Sequence, residues 1–124
     1  MPSLFTLQAI VLITTAILHA SGLFLYLQWY FWWYDVMLHF LGGAWVALAL
    51  QWYASRYPRI VLILPTLAVV LMVGISWEIF EMLIGAPREA DFAFDTSLDI
   101  LMDVLGGIVG YAVSAYILAR RAGK

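Results

Sequence analysis

Four apolar segments, each about 20 residues long or longer, dominate this chain of 124 residues. An α-helix needs about 20 apolar residues to cross the hydrocarbon core of a bilayer. Hydrophobic residues make up 65% of the chain and charged residues 11%, whereas a soluble domain carries about a quarter charged residues. The sequence therefore predicts an all-α fold, an integral membrane four-helix bundle. We expect a single transmembrane domain, 1–124, with spans at about 4–26, 31–53, 60–84 and 97–119.

The composition also limits the partners and the chemistry. A net charge of −2 is too small to indicate nucleic acid, and the absence of cysteine excludes disulfides and thiolate metal sites. The first apolar segment lacks a basic region before it and is followed by three more, so we interpret it as a retained span, not a signal peptide. The expected partners are the lipid bilayer and, as open alternatives, a second copy or a larger membrane complex.

The charged residues are distributed unevenly between the two ends of the predicted bundle. By the positive-inside rule, the basic residues predict a multi-pass protein of the cell membrane with both termini in the cytoplasm. All eight acidic residues and both histidines then fall on the outward half, where Arg88 is the only basic side chain. The basic residues of the cytoplasmic side are Arg56, Arg59, Arg120, Arg121 and Lys124.

A short pattern, D-x-x-x-[H/D]-x-L-G-G, occurs in the second and the fourth span. It covers 35–43 and 99–107, and both copies run from the outside inward. The pattern indicates two parallel-repeat helical hairpins related by a pseudo-twofold axis along the membrane normal. Because the shared pattern is short, a chance match is the alternative.

Acidic residues within apolar helices must be neutralised, because a charge in the bilayer is costly. With one arginine at that end, ordinary ion pairs cannot neutralise them, which leaves protonation, bound cations, an aqueous vestibule or a purely structural network. Oxygen and nitrogen donors without sulfur suit a divalent cation such as Zn, Mn, Fe, Mg or Ca. The spans bring the donors to a similar depth. The predicted metal ligands are His19, Asp35, His39, Glu78, Asp99 and Asp103.

Some of these residues have simpler interpretations. Asp35 lies at a helix start, where the helix dipole favours an acidic residue, and Asp95 suits a helix cap. His19 could be a hydrogen-bonded packing histidine. The glycines of the repeat are explained by close helix packing.

The same residues carry a resemblance to a known family. Asp35-x-x-x-His39-Phe, Glu78-x-x-Glu81 and Arg88 followed by Asp95-x-x-x-Asp99-x-x-x-Asp103 resemble the pattern of VanZ-like small membrane proteins. Tyr34-Asp35-x-x-x-His39-Phe and Asp95-x-x-x-Asp99 are also similar to YjdF-like inner membrane proteins. Glu81 stands where the VanZ pattern often has Gln, and Asp103 where it often has Asn, which makes this site more acidic. The resemblance implies a polytopic protein of the cell envelope with an outward polar site.

The sharpest functional hypothesis is a metal-dependent hydrolase or transferase acting on a lipid or a lipid-linked phosphate. The metal would polarise the reacting group and activate water, Glu81 would serve as the general base, and Arg88 would bind the anion. The alternatives are a cation- or proton-binding or transport protein and a non-catalytic subunit of a larger membrane complex. Haem held by His19 and His39 would leave the acidic residues unexplained.

Overall fold

The computed structural model describes residues 3–57, 62–85 and 91–123, and within these ranges the chain is helical apart from short turns and caps. Four of the helices are long and apolar enough to cross a membrane. The predicted all-α membrane fold is therefore confirmed. The helices are α1 (Leu4–Phe24), α2 (Leu27–Tyr30), α3 (Trp32–Ala54), α4 (Ile63–Ile84) and α5 (Phe92–Ala122).

Local side-chain chemistry sets several helix ends. The Ser3 hydroxyl accepts the Thr6 N–H at the start of α1. Helix α5 begins before the predicted start of the fourth span, because the Asp91 carboxylate accepts the Phe94 N–H and caps the helix. Helix α4 ends at Gly85, whose φ of 68° lies in the left-handed region that glycine adopts without strain.

The turn between α1 and α3 contains a short helix that the hydropathy pattern did not separate from its neighbours. It follows Tyr26, a non-glycine residue with a left-handed φ of 57°. At the start of α3, the Tyr34 hydroxyl donates a 2.6 Å hydrogen bond to the Leu18 carbonyl oxygen of α1. This bond fixes the α1–α3 hairpin at the end of the bundle where α3 begins.

Helix α3 is the centre of the bundle, since it packs against α1, α4 and α5. Its largest interface is with α5, where glycines bring the two backbones into contact. A Cβ added to Gly43 would collide with the Asp103 carbonyl, and a Cβ added to Gly106 would collide with the Phe40 carbonyl. Lipid tails are as apolar as the helices, so the hydrophobic effect does not drive membrane helices together. Their association depends on close packing, which small residues allow.

The register of this interface matches the sequence repeat. His39 of α3 and Asp103 of α5, which occupy equivalent positions in the two copies, are hydrogen-bonded and lie 64 residues apart. At the other end of the bundle, Leu48 of α3 and Ile117 of α5 pack together with Leu4. The two helices therefore run parallel, with the two copies of the pattern side by side.

We call the end of the bundle where α1 and α4 finish and α3 and α5 begin the acidic end. The opposite end carries exposed arginines, and Arg56 stacks over the Trp52 ring at 4.1 Å. Arg120 lies over the Tyr116 ring at 4.9 Å. Which end faces the cytoplasm stays a prediction from the distribution of charge.

The two adjacent glycines of α3 provide a matched test of this packing. Gly43→Ala should lower the free energy of unfolding by about 1–3 kcal/mol, because its methyl group meets the α5 backbone. Gly42→Ala should leave stability unchanged or raise it by up to about 1 kcal/mol, since the nearest atom to its Cβ lies 4.0 Å away and alanine favours the helix. Thermal unfolding of both variants in one detergent measures the difference. Equal stabilities would contradict the close contact between α3 and α5.

Candidate functional site

Four ionisable side chains are buried together at the acidic end of the bundle. His39 comes from α3, Glu78 from α4, and Asp99 and Asp103 from α5, and each is only 2–6% exposed. The spacing of four residues places the two aspartates on one face of α5. Gly74 of α4 makes room for this cluster, because a Cβ there would collide with the Asp103 carboxylate.

His39 lies at the centre of this cluster and has acidic residues at both ring nitrogens. Its Nδ1 is 3.2 Å from Asp103 Oδ2, within hydrogen-bonding distance. Its Nε2 faces the other way, 3.6 Å from Glu78 Oε1 and 4.0 Å from Asp99 Oδ2. One imidazole ring thus connects carboxylates from α4 and α5.

The surroundings of Nε2 call for a further proton or a cation. When Nδ1 carries the ring proton and donates it to Asp103, the neutral ring presents a lone pair at Nε2 towards the Glu78 and Asp99 carboxylates. His39 Nε2 and Asp99 Oδ1 are both buried and make no hydrogen bond with the described residues. A second proton on the ring, a proton on one of the two carboxylates or a metal ion at Nε2 would each turn this repulsion into attraction.

Thr96 is a site residue that the sequence interpretation missed. Its Oγ1 donates a 2.9 Å hydrogen bond to Glu78 Oε2, and so it orients the carboxylate whose other oxygen faces His39. Thr96 precedes Asp99 by three residues and therefore shares its helix face. That spacing was the available signal, but a threonine in an apolar helix more often bonds to its own backbone.

The potential ligand atoms form two groups that share His39. His39, Glu78 and Asp99 offer atoms that all lie within 4.8 Å of one another, and all three residues are buried. Asp35, His39 and Glu81 meet the same limit, but the two acidic residues are only partly buried. The structure thus brings together five of the residues that were predicted as ligands or as the general base.

The other predicted site residues that the structure describes are not members of these two groups. Asp103 is outside both groups and is the partner of the other ring nitrogen, not one of the clustered ligand atoms. His19 is also outside them, and its ring makes an edge contact with Trp77 at 5.6 Å between centroids. Arg88, predicted to bind an anion, lies outside the described residues. Asp95, predicted as a cap, lies in the first turn of α5, whose capping residue is Asp91.

An open crevice of about 350 Å³ lies between α1, α3 and α4 and reaches this cluster from one side. Most of its wall is apolar, with Leu12 and Ala16 from α1 and Val73 from α4. Hydropathy alone could not predict it, because it depends on which helices are neighbours. The polar groups among its lining residues include His19, Asp35, His39 and Asp103.

Comparison with known proteins gives a family match over almost the entire chain. Residues 2–121 match the family model described as "Predicted membrane protein (DUF2238)". No curated protein and no solved structure matches the chain. The match supports a small membrane protein, as predicted, while the resemblance to VanZ-like or YjdF-like proteins stays a prediction. With its four potential membrane-spanning helices, this chain belongs to the DUF2238 family of predicted membrane proteins.

Proposed function

We propose that this membrane protein binds a divalent cation inside its helix bundle, with His39 Nε2, Glu78 and Asp99 as ligands. The observation that carries the proposal is the difference between the two ring nitrogens of His39. Asp103 holds Nδ1 at 3.2 Å, which directs Nε2 at two carboxylates with which it makes no hydrogen bond. A metal-bound histidine usually donates its other ring N–H to a carboxylate, a backbone carbonyl or water, and Asp103 would fill that role here.

The distances between the proposed ligand atoms are close to those around a first-row divalent metal ion. Bonds of about 2.1 Å separate the ligands of a tetrahedral zinc ion by roughly 3.4 Å. His39 Nε2 lies 3.6 Å from Glu78 Oε1 and 4.0 Å from Asp99 Oδ2, so small side-chain shifts would complete the site. A mixture of imidazole and carboxylates favours Zn, Mn or Fe(II) over Mg and Ca, which prefer oxygen alone.

Burial supplies a further argument for a cation. Asp99 and Asp103 have His39 as their ion-pair partner among the described residues, so one imidazole serves both carboxylates. Taking ions out of water costs several kcal/mol for each, and a single imidazolium cannot compensate several carboxylates. A divalent ion would compensate the excess negative charge and would explain why the acidic residues converge from α4 and α5.

A metal at this site would supply Lewis-acid chemistry, which is the basis for the predicted action on a lipid or lipid-linked phosphate. Glu81 would suit the general base, since it shares a group with Asp35 and His39 and is only partly buried. The anion partner predicted for that reaction, Arg88, has no described position. The enzymatic role, the outward orientation of the site and assembly into a larger complex therefore remain predictions.

A proton-binding site is the second candidate, because a second proton on His39 would also favour the approach of Nε2 to Glu78 and Asp99. In that case the protein would handle protons and would hold no metal. The two candidates differ in metal content, which the following experiment measures.

Two aspartates of α5, one turn apart, allow a matched test of the metal site. We expect detergent-purified protein, loaded with Zn, Mn or Fe(II), to hold about one equivalent of metal and Asp99→Asn to lose it, because a neutral amide is a poor ligand. Asp95→Asn, which removes the same charge outside both groups, should keep the metal. Elemental mass spectrometry after desalting measures the content.

Three outcomes of this experiment would count against the proposal. A folded wild-type protein that stays metal-free after exposure to Zn, Mn, Fe(II), Mg and Ca would contradict the metal proposal. The proton-binding site would then be the better explanation of the cluster. Equal metal loss in the Asp95 and Asp99 variants would indicate loosely held surface ions. Full retention in Asp99→Asn would remove that residue from the ligand set.

Asp103 should have a smaller effect than Asp99, because it contacts the histidine and not the metal. Asp103→Asn should weaken metal affinity about 10- to 100-fold, the range found when the hydrogen-bond partner of a metal-bound histidine is changed. Titration with a competing chelator measures the affinity. If Asp103→Asn instead abolished binding as completely as Asp99→Asn in a folded protein, Asp103 would be a direct ligand.

A further inference from the structure

The crevice between α1, α3 and α4 is apolar along its length and polar at one end. Leu12, Val46 and Val70 are among its apolar lining residues, and Trp45 lines it further along α3, where its indole N–H donates to Gln8 Oε1 at 3.1 Å. Its ionisable lining residues belong to the acidic end of the bundle. The crevice therefore matches an amphiphilic molecule, which has an apolar chain and a polar head group.

The crevice is accessible from the lipid-facing surface. Leu12 of α1 keeps 41% of its surface exposed, and Val73 and Trp77 of α4 keep 41% and 40%. These residues form the two rims, with α3 as the floor. A molecule dissolved in the bilayer could enter sideways between α1 and α4.

The dimensions suit one hydrocarbon chain. Along α3, the distance from Asp35 to Trp45 is about 15 Å at 1.5 Å per residue. This equals roughly half the thickness of the hydrocarbon core, which is the depth that one lipid tail occupies. A volume of about 350 Å³ lies at the lower end of the range for ligand pockets, so a single chain fits better than two.

The charge at the polar end selects the head group. Asp35 and Asp103 line the crevice there, and the described arginines lie at the opposite end of the bundle. One divalent ion at His39 would leave the surrounding carboxylates in excess, so a phosphate head would meet net negative charge. A protonated amine complements the site and can donate three hydrogen bonds to carboxylates.

We propose that this crevice binds a single-chain cationic amphiphile from the bilayer, with its ammonium group at Asp35 and Asp103 and its alkyl chain between α1 and α4. The metal proposal rests on the other side of the His39 ring, with Glu78 and Asp99, which are not among the residues lining the crevice. Asp103 takes part in both proposals, but their tests differ, so each can fail alone.

Three probes with the same chain and different heads test the proposal: dodecylamine, dodecanol and dodecyl phosphate. Dodecylamine is protonated at neutral pH, as a lysine side chain is. We expect native mass spectrometry of the detergent-purified protein to show about one bound dodecylamine, with affinity at least about tenfold above that of dodecanol, and dodecyl phosphate to be weakest. Tighter binding of dodecyl phosphate, or equal binding of all three, would overturn the choice of a cationic head.

Substitutions in the protein test the two parts of the site separately. Asp35→Asn should weaken dodecylamine about tenfold and leave dodecanol unchanged, because it removes charge only. Ala16→Phe should weaken both by about tenfold, since excluding two buried methylene groups has that effect. Thr14→Phe places the same ring at an exposed position on the other face of α1, outside the crevice lining, and should change neither. Equal effects of Ala16→Phe and Thr14→Phe would show that the probes partition over the general surface.

Discussion

The contact between the backbones of α3 and α5 is the interaction on which the rest of this structure depends. Gly43 and Gly106 remove the side chains that would keep the two helices apart, and each glycine lies against a carbonyl of the opposite helix. At this separation His39 of α3 reaches Asp103 of α5 with a direct hydrogen bond. Gly43 and Gly106, one glycine from each copy of the repeat, thus support the polar cluster, because larger residues at these two positions would move the helices apart.

The close packing of α3, α4 and α5 also brings several ionisable side chains together inside the bundle. Helix α5 contributes two buried aspartates and α4 contributes Glu78, so three carboxylates surround one imidazole. Their burial is unfavourable without compensating positive charge. Apolar residues of similar size would stabilise the bundle at least as well, which is the reason for proposing a binding site here and not a stabilising network.

His39 separates this cluster into two environments. On its Nε2 side lie Glu78 and Asp99, which are enclosed by α4 and α5 and suit a small cation. On the other side lie Asp103 and Asp35, which border a crevice open to the bilayer. The two proposed sites therefore lie on opposite sides of one imidazole ring.

The sequence by itself determined the fold class, because apolar segments of about 20 residues have few solutions in a bilayer other than helices. It also identified the acidic and histidine residues as a set, since their spacing on helices is regular. The sequence predicted Asp99 and Asp103 as equivalent ligands and included His19 with them. Helical spacing gives the face on which a residue lies, but not the partner helix or the atom that it meets.

Only the tertiary structure decided those partners. The glycine contacts set the register of α3 against α5, so Asp103 meets Nδ1 of His39 while Asp99 faces Nε2. His19 lies on the crevice, because α1 packs against α3 without joining the cluster between α3, α4 and α5. The role of Thr96 and the crevice itself likewise follow from packing between helices distant in sequence, which a one-dimensional hydropathy pattern does not encode.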